Sequence, residues 1–85
     1  MVRYKYGLNA GVTELQLPKG AKDFTVAVQH KRIFLWATVD ETPETETKRF
    51  LVLGTGMEFS REPTSFIGMV MTPDHNWVFH VFELV

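Results

Sequence analysis

The residues of this 85-residue chain best equipped for chemistry are Trp36, Arg49, Gly54-Thr55-Gly56, Ser60, Arg61 and His80. Gly54-Thr55-Gly56 offers flexible backbone amides and a hydroxyl that could approach a phosphate closely, as in an anion-binding nest. Arg49 and Arg61 can each present two parallel donors to a phosphate, and Ser60 and Thr64 add hydroxyls beside Arg61. Trp36 is a platform on which a base could stack. His80 is a polar intrusion between Val78 and Phe82 on one strand face. The chemistry these types share is recognition of a small anionic, nucleotide-like ligand. Each also has a plainer role. The glycines suit a strand-ending bend that needs positive φ, and the arginines suit a solvated surface. Trp36 suits core or interface packing, and His80 suits a buried imidazole bonded to backbone or to a neighbouring subunit.

Catalytic constellations do not assemble from the same residues. A dinucleotide fingerprint needs a third glycine and a following helix, whereas Gly56 runs into Met57-Glu58-Phe59, and the phosphate-loop lysine motif is absent. Ser60 and Ser65 lack a nucleophile-elbow context. His30, His75 and His80 are dispersed and there is no cysteine, so neither a metal site nor a disulfide is expected. The expectation is a binding protein without catalytic residues or cofactor.

Nine Lys and Arg against ten Asp and Glu give a formal charge of −1, which removes the broad positive field of non-specific nucleic-acid binders. No long nucleic acid is expected as a partner, and any polyanion site must be local. No secretory leader pattern opens the chain, and charged and turn residues interrupt every apolar run well short of the ~20 residues of a membrane helix. No membrane partner is expected.

The elements that must position these residues are short extended segments. Alternation and turn residues mark strands over residues 2–8, 12–17, 24–29, 33–39, 45–53, 66–71 and 77–85, with no helical stripe competing. The fold expected is a single all-β domain over 1–85, an antiparallel sandwich or flattened barrel of about seven strands. Short turns predict hairpins between the first two strands, within 24–40, between 33–40 and 45–53, and within 66–85. Pro43 is read as part of a loop, and residues 58–65 as the longest segment without periodicity, hence the favoured functional loop.

Four segments are apolar on both faces: 33–39, 50–53, 66–71 and 77–85. An isolated domain of this size needs one apolar face per sheet, so the surplus predicts a homo-oligomer built through a sheet face that includes the terminal strand. His80 and Glu83 interrupt that strand and must find partners.

Leu35-Trp36-Ala37, Val39-Asp40 with the Thr/Glu-rich stretch after it, Leu53-Gly54-Thr55-Gly56, Phe66-Ile67-Gly68 and Val78-Phe79-His80-Val81-Phe82-Glu83 resemble a family of short uncharacterised proteins of phages and prophages. The resemblance runs from Leu15-Gln16-Leu17-Pro18-Lys19-Gly20 to the C-terminus. It implies a compact β-fold and a phage setting, and it supplies no catalytic residues; with no cysteine and no secretory leader pattern, the location expected is the cytoplasm, here of a bacterial host cell. By analogy with other small phage proteins, the expected function is a non-catalytic accessory role. One form is a counter-defence sponge sequestering a nucleotide-derived immune signal. The alternative is a protein-interaction or virion-associated structural module acting through an exposed β-face.

Overall fold

Strands form where apolar residues alternate with polar ones or with β-branched and aromatic neighbours, because the pleat sends successive side chains to opposite faces. In the computed structural model, which describes residues 1–59, 65–74 and 76–84, seven strands result. They are β1 (Val2–Leu8), β2 (Gly11–Pro18), β3 (Lys22–Gln29), β4 (Arg32–Val39), β5 (Thr45–Gly54), β6 (Ser65–Met71) and β7 (Val78–Leu84). No helix occurs among the described residues, so none is long and apolar enough to cross a membrane.

The strands make two antiparallel sheets, β1-β4-β3 and β2-β5-β7-β6. Among the described residues no pairing closes one sheet onto the other, so the fold is an open sandwich and not a barrel. Its smallest dimension, 16 Å, suits two sheets about 10 Å apart. Leu35, Ala37 and Val39 of β4 meet Phe50 and Val52 of β5 and Val81 of β7 in one core, with Leu8, Leu17 and Ala21 closing its ends. Phe24 packs edge-on against Phe50 at 5.3 Å between ring centroids. Burial of each large side chain here stabilises the fold by about 1.5–3 kcal/mol.

Two of the expected hairpins do not form. β1 pairs with β4, and β2 with β5, so the turn at Asn9-Ala10 carries the chain across the gap between sheets. The loop 40–44 does the same between β4 and β5. The reason is that both ends of β1 and β4 share an apolar face that the second sheet must cover, and a few residues bridge a ~10 Å gap as easily as they reverse within a sheet. The hairpins β3-β4 and β6-β7 form as expected. Trp77 lies just before β7 and not within it.

Glu83 and His80 find partners inside the chain. Glu83 faces the core side opposite Phe50, where Lys48 Nζ reaches its carboxylate at 3.2 Å and Glu46 at 3.8 Å. His80 faces outward, and its Nε2 lies 3.2 Å from Thr55 Oγ1.

Candidate functional site

Directly paired residues of antiparallel strands share a face, so the registers fix what each sheet shows to solvent. On β2-β5-β7-β6 the outer face carries Val12 opposite Leu51, Leu51 opposite Phe82, Phe82 opposite Phe66, Leu53 opposite His80, and His80 opposite Met69. Leu51, Leu53 and Leu84 form a second apolar cluster with Phe82, on the side of the sheet away from the core. Phe82 is flanked by Phe59 at 6.3 Å and Phe66 at 5.4 Å between ring centroids. Around this cluster Val12, Phe66 and Met69 are 54%, 58% and 56% exposed. A groove of about 870 Å³ runs over Val12, Leu51, Leu53, Met57 and Phe59 and ends at Arg49. That arginine is already committed, since its Nε donates to Glu14 at 3.0 Å.

The residues expected to hold an anion are dispersed. Trp36 belongs to the other sheet. Ser60 and Arg61 lie outside the described residues. Gly54, Thr55, Gly56 and His80 do come together, around a cavity of about 150 Å³ walled by Leu53, Met57, Phe59 and Phe82. That volume is below the ~300 Å³ at which small-molecule pockets begin. Two of the three amides of the bend are also already committed. The Gly54 N–H donates to Met57 Sδ at 3.2 Å, and that of Thr55 to the Val78 carbonyl at 3.2 Å. Gly56, at φ +85°, lets the strand end turn. The bend therefore ends a strand and supplies His80 with its hydroxyl partner.

A larger cleft, of about 740 Å³, opens at the end of the sandwich where the β3-β4 and β6-β7 turns meet. It is lined by Lys31, Gly54, Thr55, Asn76, Trp77 and Phe79 among others. Lys31 and His30 make a two-residue turn with both φ positive, at +63° and +51°, a conformation usually given to Asn-Gly. Trp77 is 62% exposed. The opposite wall is stiffened by Asp74, which accepts from the Thr72 hydroxyl and the Asn76 amide; these bonds hold its carboxyl below the usual aspartate range. Sequence reasoning missed this cleft because its residues come from three segments far apart in the chain, the two turns and the end of β5.

The outer face of β1-β4-β3 has a different character. Its cross-strand rows read Arg3-Thr38-Lys22, Lys5-Trp36-Thr25 and Gly7-Phe34-Ala27, closed by Arg32-Gln29. Alternation in β1 marks Arg3 and Lys5 as a wet face, but the sequence does not show that β4 lays Phe34 and Trp36 between them. Among the described residues no cluster of three or more His, Asp or Glu side chains is placed to hold a metal ion.

Over residues 1–85 the chain matches the model of a family described as a domain of unknown function, DUF7352, and it belongs to that family. No curated protein and no solved structure matches it significantly.

Proposed function

We propose that the chain is a non-catalytic phage accessory protein that acts as an assembly module, the phage setting resting on the sequence resemblance alone. A second copy of the same chain covers the outer face of β2-β5-β7-β6. The observation that carries this reading is the apolar patch of half-exposed Val12, Met57, Phe59, Phe66 and Met69 seated around Phe82 and the buried Leu51 and Leu53. Half-exposed side chains of this size present roughly 100 Å² each, so the patch reaches ~500 Å², in the upper range for ordinary monomers. It makes up more than half of the ~800 Å² per partner of a stable interface.

A two-fold contact pairs a patch with itself, so a charge near the axis would face its own copy. The strands in the middle of this face carry no charge and the border pair Arg49-Glu14 is closed internally, which leaves Glu58 as the charge lining the groove. A self-complementary contact must therefore keep Glu58 away from its own copy at the axis. Sedimentation equilibrium at about ten micromolar should give a dimer. The doubly substituted Phe66→Lys, Met69→Lys chain should sediment as a monomer with an unchanged circular dichroism spectrum. A wild-type monomer at that concentration removes the reading.

A second reading, sequestration of a small nucleotide-derived signal, is favoured by the end cleft. Its ~740 Å³ is of nucleotide size, with Lys31 for a phosphate and Trp77 for a base. Isothermal titration with cyclic nucleotides and ADP-ribose derivatives tests it, and uniformly absent heat leaves it without support.

A further inference from the structure

The cations on β1-β4-β3 are gathered without counter-charges. Arg3 donates to the Asp23 carbonyl, to Thr38 Oγ1 at 3.0 Å and to Thr25 Oγ1 at 2.7 Å, which fixes its guanidinium across all three strands. Lys5 Nζ sits 4.6 Å from the centroid of Phe34, and Arg32 Cζ 5.7 Å from the same ring. Arg32 reaches there over Gly7, where any β-carbon would stand 2.6 Å from its Cζ. Ion pairs elsewhere use Lys19, Lys48, Arg49 and the N-terminus; among the described residues none joins Arg3, Lys5, Lys22 or Arg32 to a carboxylate. Like charges converging on one ring without a carboxylate make a place for an anion.

The same face presents two aromatic rings on its central strand. Phe34 and Trp36 are half-buried, with centroids 6.2 Å apart, and Gly7 and Ala27 are the small residues on either side of Phe34. From Arg32 to Thr38, the partner of Arg3, the row covers seven residues of β4. That is about 20 Å, longer than one nucleotide and suited to several. A positively charged open face with aromatic platforms is what single strands use, since every base has a π-face and every linkage a phosphate. The net charge of −1 does not oppose this. Glu14, Glu46 and Glu83 ride on the other sheet, and Asp40, Glu41 and Glu44 on the loop leaving β4; the carboxylate on these three strands is Asp23, at the positive-φ bulge of β3, where it meets Arg3 through its carbonyl.

We propose that the outer face of β1-β4-β3 binds a short single-stranded nucleic acid, with bases on Phe34 and Trp36 and phosphates between Arg3, Lys5 and Arg32. The site shares no surface with the proposed dimer contact, so either can fail alone. The test is fluorescence anisotropy with a labelled oligothymidylate of about twelve residues at low salt.

The expected result is saturable binding that falls at least about tenfold for a blunt duplex of equal length and in the Lys5→Gln, Arg32→Gln chain. It should also weaken steeply as salt rises. In the Trp77→Phe chain, whose only indole is Trp36, the oligonucleotide should quench the remaining fluorescence; this locates the site with the cations intact. No anisotropy change up to about 100 µM protein overturns the proposal. So do equal binding of duplex, undiminished binding by the doubly substituted chain, and thymidine monophosphate competing as well as the oligomer.

Discussion

The two outer faces of this sandwich are built on one core yet differ in almost every respect. The β2-β5-β7-β6 face is apolar to its border and turns its one imidazole toward a hydroxyl of its own chain. The β1-β4-β3 face carries Arg3, Lys5, Lys22 and Arg32 around two aromatic rings. The difference teaches that surplus hydrophobicity in a small β-domain can be confined to one sheet, leaving the other free for charge. Both faces hold aromatics, but Phe82 is ringed by Phe59 and Phe66, whereas Phe34 is ringed by cations.

That comparison assumes a single cooperative body. Phe50→Ala removes the ring that joins β5 to Phe24 of β3, and a loss of about 3–5 kcal/mol is expected in denaturant unfolding. In a Trp77→Phe background, fluorescence of Trp36 on one sheet and circular dichroism of both should report one transition; two separate transitions would break the comparison.

Next in size is Phe66→Lys alone, expected to raise the dimer dissociation constant about a hundredfold while moving monomer stability by less than about 1 kcal/mol. Sedimentation and dilute-solution unfolding check the two halves of that statement.

Gly7→Ala acts on the other face. The added methyl meets only the mobile end of Arg32, so stability should change by less than about 1 kcal/mol. Displacement of the guanidinium should weaken oligonucleotide binding about three- to tenfold, leaving dimerisation alone. An equal loss in both assays would show that the faces are coupled.

The smallest effect is at the β6-β7 turn. Asp74 has its folded value lowered, first by the Thr72 hydroxyl and then by the Asn76 amide. It therefore stabilises the turn above the unfolded value of about 4, and the contribution is lost as pH falls through the lower folded value. Hydrogen-exchange protection of the Asn76 and Trp77 amides should drop below about pH 4 with both faces unaffected.

Strand positions and the two-sided character of β4, β5 and β7 were legible because period-2 alternation reports directly which side chains share a face. Sheet membership was not. Asn9-Ala10 and residues 40–44 read equally well as in-plane turns or as bridges between layers, and only the shared burial of Leu35, Phe50 and Val81 decides. The candidate site suffered for the same reason. Trp36 and Arg49 belong to one hairpin in the sequence pattern, but β4 and β5 fall in different sheets, and the two side chains lie on opposite outer faces of the sandwich. Arg3, Lys5 and Arg32 were visible as charges, but their meeting at Phe34 depends on registers between strands distant in sequence.

The ion pair of Lys48 with Glu83 bears on how the chain selects one alignment. A strand apolar on both faces, sliding by one residue, exchanges one hydrophobic set for another and loses little burial, so β5 and β7 are poorly phased by oil alone. Here a slip would carry Glu83 onto the apolar outer face and leave Lys48 on the core side with only its longer contact to Glu46. His80 would turn inward, away from Thr55. Two polar residues in a greasy strand thus work as a key, penalising every odd-numbered misalignment and excluding slipped pairings that hydrophobicity would tolerate.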